Sequence, residues 1–322
     1  MLCSEDNELL NQYCLERGLK YRTIQGYKDS LKKFTKFIGR SFVKSLRIYD
    51  HEEEKKVRWK HSTLKKDLLN FRNYLYFNLL GTTAKSHFSR LCTMIRHYEI
   101  SILYIPRVNL KNVNSNPPVN YDDLLTRDEL RSILKMSNSV MMALVSFQIS
   151  SGCARKEALS LKVIDYIKAN GVIIEDDDLL KCINQINTQE VPIFRCRRVK
   201  TNKYYFTFCT PQANNYIKEY LLTRKNLKKE DKLFKINLDY LNTNFKMINE
   251  ALNLGLVNGK RRCRTHMFRK YNASTLYNNG MSMEDIDSLQ GRGKDSTHSA
   301  YFMEDPSLLK QKYMRYVPVL TI

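Results

Sequence analysis

The most informative stretch of this chain is RRCRTHMFR at residues 261–269, followed by SAY at residues 299–301. His266 and Arg269 are three residues apart, so they share one face of a helix. A pair this short occurs by chance in many chains, and its meaning depends on other motifs at compatible spacing.

The chain of 322 residues carries a large excess of positive charge. Lys and Arg total 54 against 33 Asp and Glu, the net charge is +21, and a hydrophobic fraction of 43% is enough for folded cores. Such an excess predicts a polyanionic partner, with nucleic acid as the first candidate. Part of it is also typical of an AT-rich genome, in which Lys and Asn codons accumulate. A tyrosine, Tyr301, that follows the His266/Arg269 pair in so basic a chain suggests covalent chemistry on a DNA phosphate.

Several classes of protein fit the sequence poorly. The polar, acidic start is unlike a signal peptide, and no apolar run approaches the roughly 18 residues of a membrane span. The eight cysteines are scattered without a C-x-x-C pair, which indicates reduced thiols. Neither a Walker loop nor an H-E-x-x-H motif is present. We therefore expect a cytoplasmic, nucleoid-associated protein with no membrane contact and no cofactor.

Residues 1–105 are predicted to form a helical, DNA-binding domain. Apolar residues recur at helical spacing in four segments, with Thr23 as a candidate cap of the second. Basic residues on the opposite faces are candidate phosphate contacts, although each alone fits a solvated surface better: Lys28, Lys32 and Arg90. Residues 106–122, rich in Pro and Asn, are predicted to be a linker.

Residues 123–322 are predicted to form a second domain of mixed structure. It opens with a capping box formed by Thr126 and Glu129. Short β-type runs follow at residues 163–164, 172–174, 191–194 and 204–208. Residues 201–203 are predicted to be the tip of a hairpin, and the chain is helical again beyond residue 210. The fold class is therefore mainly α with a small antiparallel β-sheet.

Four segments of this domain carry candidate site residues. Arg155 lies at a predicted helix start, which suits an anion site, although it could simply pair with Glu157. The hairpin contributes Arg198, Lys200 and Lys203, and the segment before His266 contributes Arg264. Arg292 follows a predicted Gly turn, nine residues before Tyr301. The candidate catalytic set is Arg155, Lys200, His266, Arg269, Arg292 and Tyr301.

This order of residues resembles the tyrosine recombinases, or phage-integrase superfamily, over nearly the whole chain, and most closely the archaeal integrase branch. There are two departures from the family pattern. Arg292 stands where the family usually has His or Trp, and an ungapped match would place Ala154, not Arg155, at the first arginine position. We assign Arg155 because it is the only arginine in that stretch.

The resemblance implies an N-terminal core-binding domain and a mixed α+β catalytic domain that together form a C-shaped DNA clamp. Tyr301 would attack a phosphodiester and form a 3′-phosphotyrosyl link, with neither ATP nor a metal required. Arg155 and Arg269 would bind the non-bridging oxygens, and Lys200, or Lys203 on the same hairpin, would protonate the leaving oxygen. His266 would bind the phosphate or accept the tyrosine proton, and Arg292 would donate to the phosphate.

The resemblance further implies strand exchange through a Holliday junction, and it leaves integration of a mobile element, resolution of chromosome dimers and inversion open as the outcome. A homodimer would bind each double-stranded DNA site and a homotetramer would form at synapsis, with accessory proteins an open matter. The tail, residues 306–322, could dock on its own domain or on a neighbouring protomer. Two alternatives remain open: a DNA relaxase like type IB topoisomerases, and a non-catalytic DNA-binding protein of the same fold.

Overall fold

The computed structural model describes residues 2–108, 117–174, 178–199, 202–292 and 305–322. The chain divides into two compact units, Met1–Pro117 and Pro118–Ile322. The division falls within the segment predicted as a linker. Among the described residues, no helix combines the length and apolar character needed to cross a membrane.

The first unit is helical and has an apolar core of its own. The predicted helices are present, but the second begins at Tyr21 with Lys20 as its cap, so the assignment of Thr23 as the cap was wrong. A helix at Phe42–Glu54, capped by Ser41, was not predicted. The helices of this unit are α1 (Ser4–Glu16), α2 (Tyr21–Ile38), α3 (Phe42–Glu54), α4 (Thr63–Asn78) and α5 (Gly81–His97).

The second unit combines helices with two small antiparallel sheets, which confirms the predicted fold class. The described helices are α6 (Arg127–Lys135), α7 (Ser139–Ser151), α8 (Arg155–Ala158), α9 (Val163–Ala169), α10 (Leu179–Gln185), α11 (Pro211–Leu222), α12 (Leu238–Ala251), α13 (Thr265–Asn278), α14 (Met283–Leu289), α15 (Pro306–Met314) and α16 (Val317–Leu320). The strands are β1 (Ile193–Arg197), β2 (Tyr204–Phe208), β3 (Leu256–Val257) and β4 (Lys260–Arg261).

Helix α7 is the central element of the second unit. The predicted capping box precedes it at the start of α6, where Thr126 Oγ1 accepts from the Glu129 amide at 3.2 Å and Glu129 Oε2 accepts from the Thr126 amide at 2.7 Å. Almost every residue of α7 from Met141 onward is buried, as expected for a helix that is apolar on all sides. It ends at Gly152, whose φ of +62° is left-handed.

The hairpin of β1 and β2 packs against α7. Its register pairs Ile193 with Phe208 and Arg197 with Tyr204, so Arg198 is the first residue beyond β1. The Phe194 ring meets the Phe147 ring of α7 edge-on at 4.9 Å between centroids. These contacts hold the hairpin that carries Arg198 against α7.

The β-type run at residues 163–164 was wrongly predicted as a strand. Val163 begins α9, because the Asp165 carboxylate accepts from the Lys162 amide at 2.8 Å and so caps the helix start. The Val163 amide donates to the Asp231 carbonyl at 2.9 Å. These contacts outweigh the weak β preference of two branched residues.

The described tail packs against its own unit. The Tyr313 hydroxyl donates to the Ser150 carbonyl of α7 at 3.0 Å, and Leu309 and Leu320 are buried. At the end of the chain, the Ile322 amide donates to Gln212 Oε1 at 2.9 Å. Tyr313 therefore anchors the tail beside the C-terminal end of α7.

Candidate active site

Arg269 is a buried cation of the described site, and hydrogen bonds to two backbone carbonyls hold its side chain in place. It lies in the second turn of α13 and is only 9% exposed. Its Nη1 donates to the Gly152 carbonyl and its Nη2 to the Gln290 carbonyl, both at 2.7 Å. One guanidinium thus joins the end of α7 to the end of α14.

A buried polar frame, formed by Gly152, Arg269, Asn272 and Gln290, holds this guanidinium in place. Asn272 Nδ2 donates to the Ile149 and Ser150 carbonyls at 3.0 and 2.9 Å. Gln290 Nε2 donates to Asn272 Oδ1 at 2.8 Å. Because buried polar groups are costly when unpaired, moving any one of these groups out of the frame would cost free energy.

Gly152 is required in the frame for two reasons. Its φ lies in the left-handed region, which residues other than glycine rarely adopt. A Cβ at this position would also lie only 2.6 Å from Gln290 Nε2 and closer still to Asn272 Oδ1. The close approach of Asn272 and Gln290 to the end of α7 therefore depends on the absence of a side chain.

Arg198 shares an acceptor with Arg269. Arg198 Nη1 donates to the Gln290 carbonyl at 3.1 Å and lies 3.8 Å from Glu157 Oε1. Buried Glu157 also accepts from the Tyr205 hydroxyl at 2.8 Å. Burial raises the pKa of Tyr205, so the phenol stays protonated and acts as a donor to Glu157.

Arg292 is the third member of what we call the guanidinium cluster, Arg198, Arg269 and Arg292. Its Nη1 donates to Asp287 Oδ1 at 3.2 Å, and its side chain is 41% exposed. Burial lowers the pKa of Arg269, and repulsion from Arg198 and Arg292 lowers it further. The predicted positions of Arg269 and Arg292 are therefore brought together by the fold.

His266 lies at the start of α13, one turn before Arg269, and is exposed. Partial loss of hydration lowers the pKa of its imidazole, and repulsion by nearby cations, Lys270 and Arg264 first among them, lowers it further. Arg264 is the capping residue of α13, and its Nη1 donates to the Arg261 carbonyl. Neutral imidazole is therefore the favoured form of His266 near neutral pH.

Arg155 is not joined to this cluster. It is the first residue of the short helix α8 and is half-buried. Within the described parts of the chain, its guanidinium group has no hydrogen-bonded or ion-paired partner, and only its backbone carbonyl accepts a bond, from the Leu159 amide at 3.0 Å. Glu157, the alternative partner considered from the sequence, faces Arg198 and Tyr205 instead.

Two predicted catalytic residues, Lys200 and Tyr301, lie outside the described residues. Lys203 is exposed, and its carbonyl accepts from the Arg198 amide at 2.7 Å. In the first unit, Lys32 is exposed and Lys28 half-buried on α2, while Arg90 of α5 leans over Gly26 of α2. The roles of all these residues stay predictions.

Sequence reasoning missed Gln290, Asn272 and Tyr205 as parts of the site. Gln290 precedes Gly291 and Arg292 directly, so the predicted turn was the one local signal that pointed to it. Gly291 has a φ of +58°, and a Cβ there would lie 2.5 Å from the Tyr205 ring. Asn272 and Gln290 lie close in sequence to Arg269 and Arg292, but the bonds that make them part of the site join separate segments, so spacing alone could not identify them.

A mostly helical unit with a small antiparallel hairpin and a buried, arginine-rich polar site defines the class of protein. The sequence pattern of the Phage integrase family matches residues 123–307, more than half of the chain. The chain belongs to the phage integrase family, the tyrosine recombinases.

Known proteins share this architecture. The "Probable integrase/recombinase" of Acholeplasma phage L2 is 23% identical over 323 residues, covering 97% of each chain. The structure of XerH site-specific recombinase bound to difH substrate matches with a TM-score of 0.57 and 19% identity, over 96% of this chain and 84% of that one. A lambda integrase dimer bound to a COC′ core site matches with a TM-score of 0.55 and 14% identity, over 94% and 95%. The two structural similarities establish the fold.

Proposed function

We propose that this protein is a site-specific DNA recombinase of the integrase type, which cuts and rejoins DNA strands through a covalent bond to Tyr301. The observation that supports this most is the buried Arg269 guanidinium, held by two carbonyls and flanked by Arg198 and Arg292. Charge in a phosphoryl transition state lies on the non-bridging oxygens. A fixed cation in a partly dry site stabilises that charge without reorganising.

In the first step the Tyr301 hydroxyl oxygen attacks the scissile phosphorus, and the bond from phosphorus to the 5′ oxygen breaks. The products are a 3′-phosphotyrosyl link and a free 5′-hydroxyl. The tyrosine proton passes to a base, and the leaving oxygen takes a proton from Lys200, with Lys203 as the alternative acid. A 5′-hydroxyl from a second strand then reverses the step, and two such exchanges pass through a Holliday junction.

His266 is the candidate base for the Tyr301 proton. Forming a phenolate at pH 7 costs about 4 kcal/mol, because the ordinary tyrosine pKa is about 10. The lowered pKa of His266 keeps its imidazole in the neutral form, which accepts a proton. The guanidinium cluster would offset part of the remaining cost through its positive potential.

Double-stranded DNA is the proposed partner, consistent with the net charge of +21. The lambda integrase of the similar structure is a dimer on its core site, and we propose the same arrangement here, with a tetramer at synapsis. Exposed cations of the first unit, such as Lys32, would contact DNA phosphates. The protein would act in the cytoplasm, in association with the nucleoid. We favour integration of a mobile element as the reaction, because the similar phage protein is described as a probable integrase/recombinase.

Covalent trapping tests this proposal. The full chain is incubated with nicked suicide duplexes tiled across the DNA that flanks its gene, and adducts are resolved on denaturing gels. Tyr301→Phe is the test variant, and Tyr316→Phe, a partly buried tyrosine of the tail, is the matched control. We expect an adduct with the wild-type chain and with Tyr316→Phe, and none with Tyr301→Phe.

Each other outcome has a definite meaning. An adduct that survives Tyr301→Phe would place the nucleophile elsewhere. Tight, salt-sensitive binding to one duplex without any adduct would favour a non-catalytic DNA-binding protein. Relaxation of supercoiled DNA without exchange between two sites would favour a topoisomerase-like relaxase.

A further inference from the structure

Arg198 and Arg269 converge on one atom, the Gln290 carbonyl oxygen. Arg269 Nη2 lies 2.7 Å from it and Arg198 Nη1 lies 3.1 Å from it. Gln290 is the capping residue at the C-terminal end of α14. Two guanidinium groups from distant parts of the chain, a strand end and a helix, are therefore fixed side by side.

The Arg198 side chain is also held from its other side. It lies 3.8 Å from Glu157, which is in turn bonded to the Tyr205 hydroxyl, and it is only 19% exposed. Its neighbour Arg197 is exposed, and Arg197 Nε donates to Asn202 Oδ1 at 2.6 Å within the hairpin. Arg198 thus differs from the adjacent basic residue in being fixed by the core of the site.

The charges around this point are not balanced. The guanidinium cluster contributes three positive charges, and Glu157 and Asp287 are the carboxylates paired with it among the described residues. Burial and mutual repulsion lower the pKa of Arg269, which means that its charge is poorly compensated. A partly open cluster of this kind is suited to an anion with several oxygens, as in bidentate recognition of phosphate.

Arg155 offers a direct contrast. In the described parts of the chain, neither a hydrogen bond nor an ion pair joins Arg155 to Arg269, Gln290 or Glu157. It starts a helix of four residues and is half-buried. Arg155 therefore lacks the support that a fixed phosphate ligand needs.

We propose that Arg198, and not Arg155, joins Arg269 in binding the non-bridging oxygens of the scissile phosphate. This inference rests on the proposed function, and it makes Arg198 a catalytic residue that reaches the phosphate from the end of β1. The competing explanation is structural: Arg198 would only neutralise Glu157 and cap the end of α14, where helix carbonyls favour a cation.

The test measures single-turnover cleavage of the suicide duplex found by trapping, with enzyme in excess. The variants are Arg198→Ala, Arg198→Lys, Arg155→Ala and, as the exposed neighbour, Arg197→Ala. We expect Arg198→Ala to slow cleavage by about 10²–10³-fold, as loss of one transition-state donor does. Arg155→Ala and Arg197→Ala should each slow cleavage by no more than about fivefold, because on this proposal neither removes a donor to the phosphate in the transition state. A large loss in Arg155→Ala with little in Arg198→Ala would overturn the inference.

Arg198→Lys keeps the inference testable if Arg198→Ala fails to fold. It retains a cation opposite Glu157 but lacks the planar fork that binds two oxygens. We expect Arg198→Lys to melt within a few degrees of the wild-type chain, and its cleavage to be slower by about 10²-fold. Cleavage by Arg198→Lys at the wild-type rate would overturn the inference.

A second readout separates a phosphate contact from a structural role. The scissile phosphate is replaced by a methylphosphonate, in which a neutral methyl group takes the place of one charged oxygen. If Arg198 neutralises that charge, the ratio of wild-type to Arg198→Lys rates falls by at least tenfold on the methylphosphonate. An unchanged ratio would assign Arg198 a structural role. If the wild-type chain forms no adduct on any duplex, the proposed function and this inference fail together. If the wild-type chain and Arg198→Lys form the adduct at equal rates, only the inference is overturned.

Discussion

The cations compared between the two units differ in their exposure to solvent and in how firmly they are held. Lys32 in the first unit is exposed on the surface of α2, above a core made of apolar side chains. Arg269 in the second unit is buried, and the carbonyls of Gly152 and Gln290 fix its orientation. One region thus carries charge on solvent-exposed side chains, and the other holds charge at a position that hydrogen bonds define.

This difference suggests a division of labour. A solvated lysine can displace counterions from DNA and raise affinity, but it contacts ground state and transition state alike. A fixed guanidinium in a drier site stabilises the charge that develops during reaction. Substitutions in the first unit should therefore change binding, and substitutions around Arg269 should change rate.

The largest effect is expected from Gly152→Ala, which disrupts the buried polar frame that holds Arg269 in the second unit. A left-handed alanine and its contact with Asn272 and Gln290 together should destabilise the unit by about 3 kcal/mol. Gly171→Ala is the matched control, since Gly171 is also left-handed but has open space around it; it should cost about 1 kcal/mol. Urea unfolding measures both, and equal costs would show that the frame is not closely packed.

The capping box at Thr126 and the hairpin of β1 and β2 could be predicted from sequence because their signals are local. The frame could not, because Gly152, Asn272 and Gln290 come from three separated segments and meet only in the fold. Spacing identified Arg269 as a site residue without indicating which carbonyls would hold it.

Elsewhere local propensity gave the wrong element or none. Val163 and Ile164 have β-branched side chains, yet the Asp165 cap and the bond to Asp231 place them in α9. Helix α3 was missed because its sequence is interrupted by charges, and Ser41 was not recognised as its cap. Both cases show that capping and tertiary contacts override a weak periodic signal.

The next largest effect is expected at His266, which is exposed like Lys32 but lies close to the buried Arg269. We expect His266→Gln to slow cleavage by about 10²-fold at pH 7, the typical contribution of a general base. Since its pKa is lowered, wild-type cleavage should be constant from about pH 7 to pH 8 and fall only below the ordinary histidine pKa of about 6.5. His266→Gln should lose that acidic limb, whereas the exposed His61→Gln should keep it. Rate profiles from pH 5 to pH 8 decide, and a limb that survives in His266→Gln would remove His266 from the proton transfer.

The smallest effect is expected from substitutions in the first unit, which test whether its exposed lysines contribute to DNA binding. The double variant Lys28→Gln/Lys32→Gln should weaken DNA binding and make the slope of log affinity against log salt shallower by about 2, one for each lost phosphate contact. Lys55→Gln/Lys56→Gln, at the exposed end of α3, removes the same charge and is the control for net charge alone. Titrations at several salt concentrations give the slopes, and equal slopes for the two variants would count against specific contacts from α2.

The division of labour is tested most directly by measuring the dissociation constant and the saturated cleavage rate of Arg269→Lys and Lys32→Gln on one suicide duplex at one salt concentration. For Arg269→Lys we predict a rate lower by about 10²-fold or more. Its dissociation constant should change by less than about threefold, because Arg269 acts mainly in the transition state. For Lys32→Gln we predict weaker binding and an unchanged saturated rate. A variant at Arg269 that lost affinity while cleaving at the normal saturated rate would contradict the account.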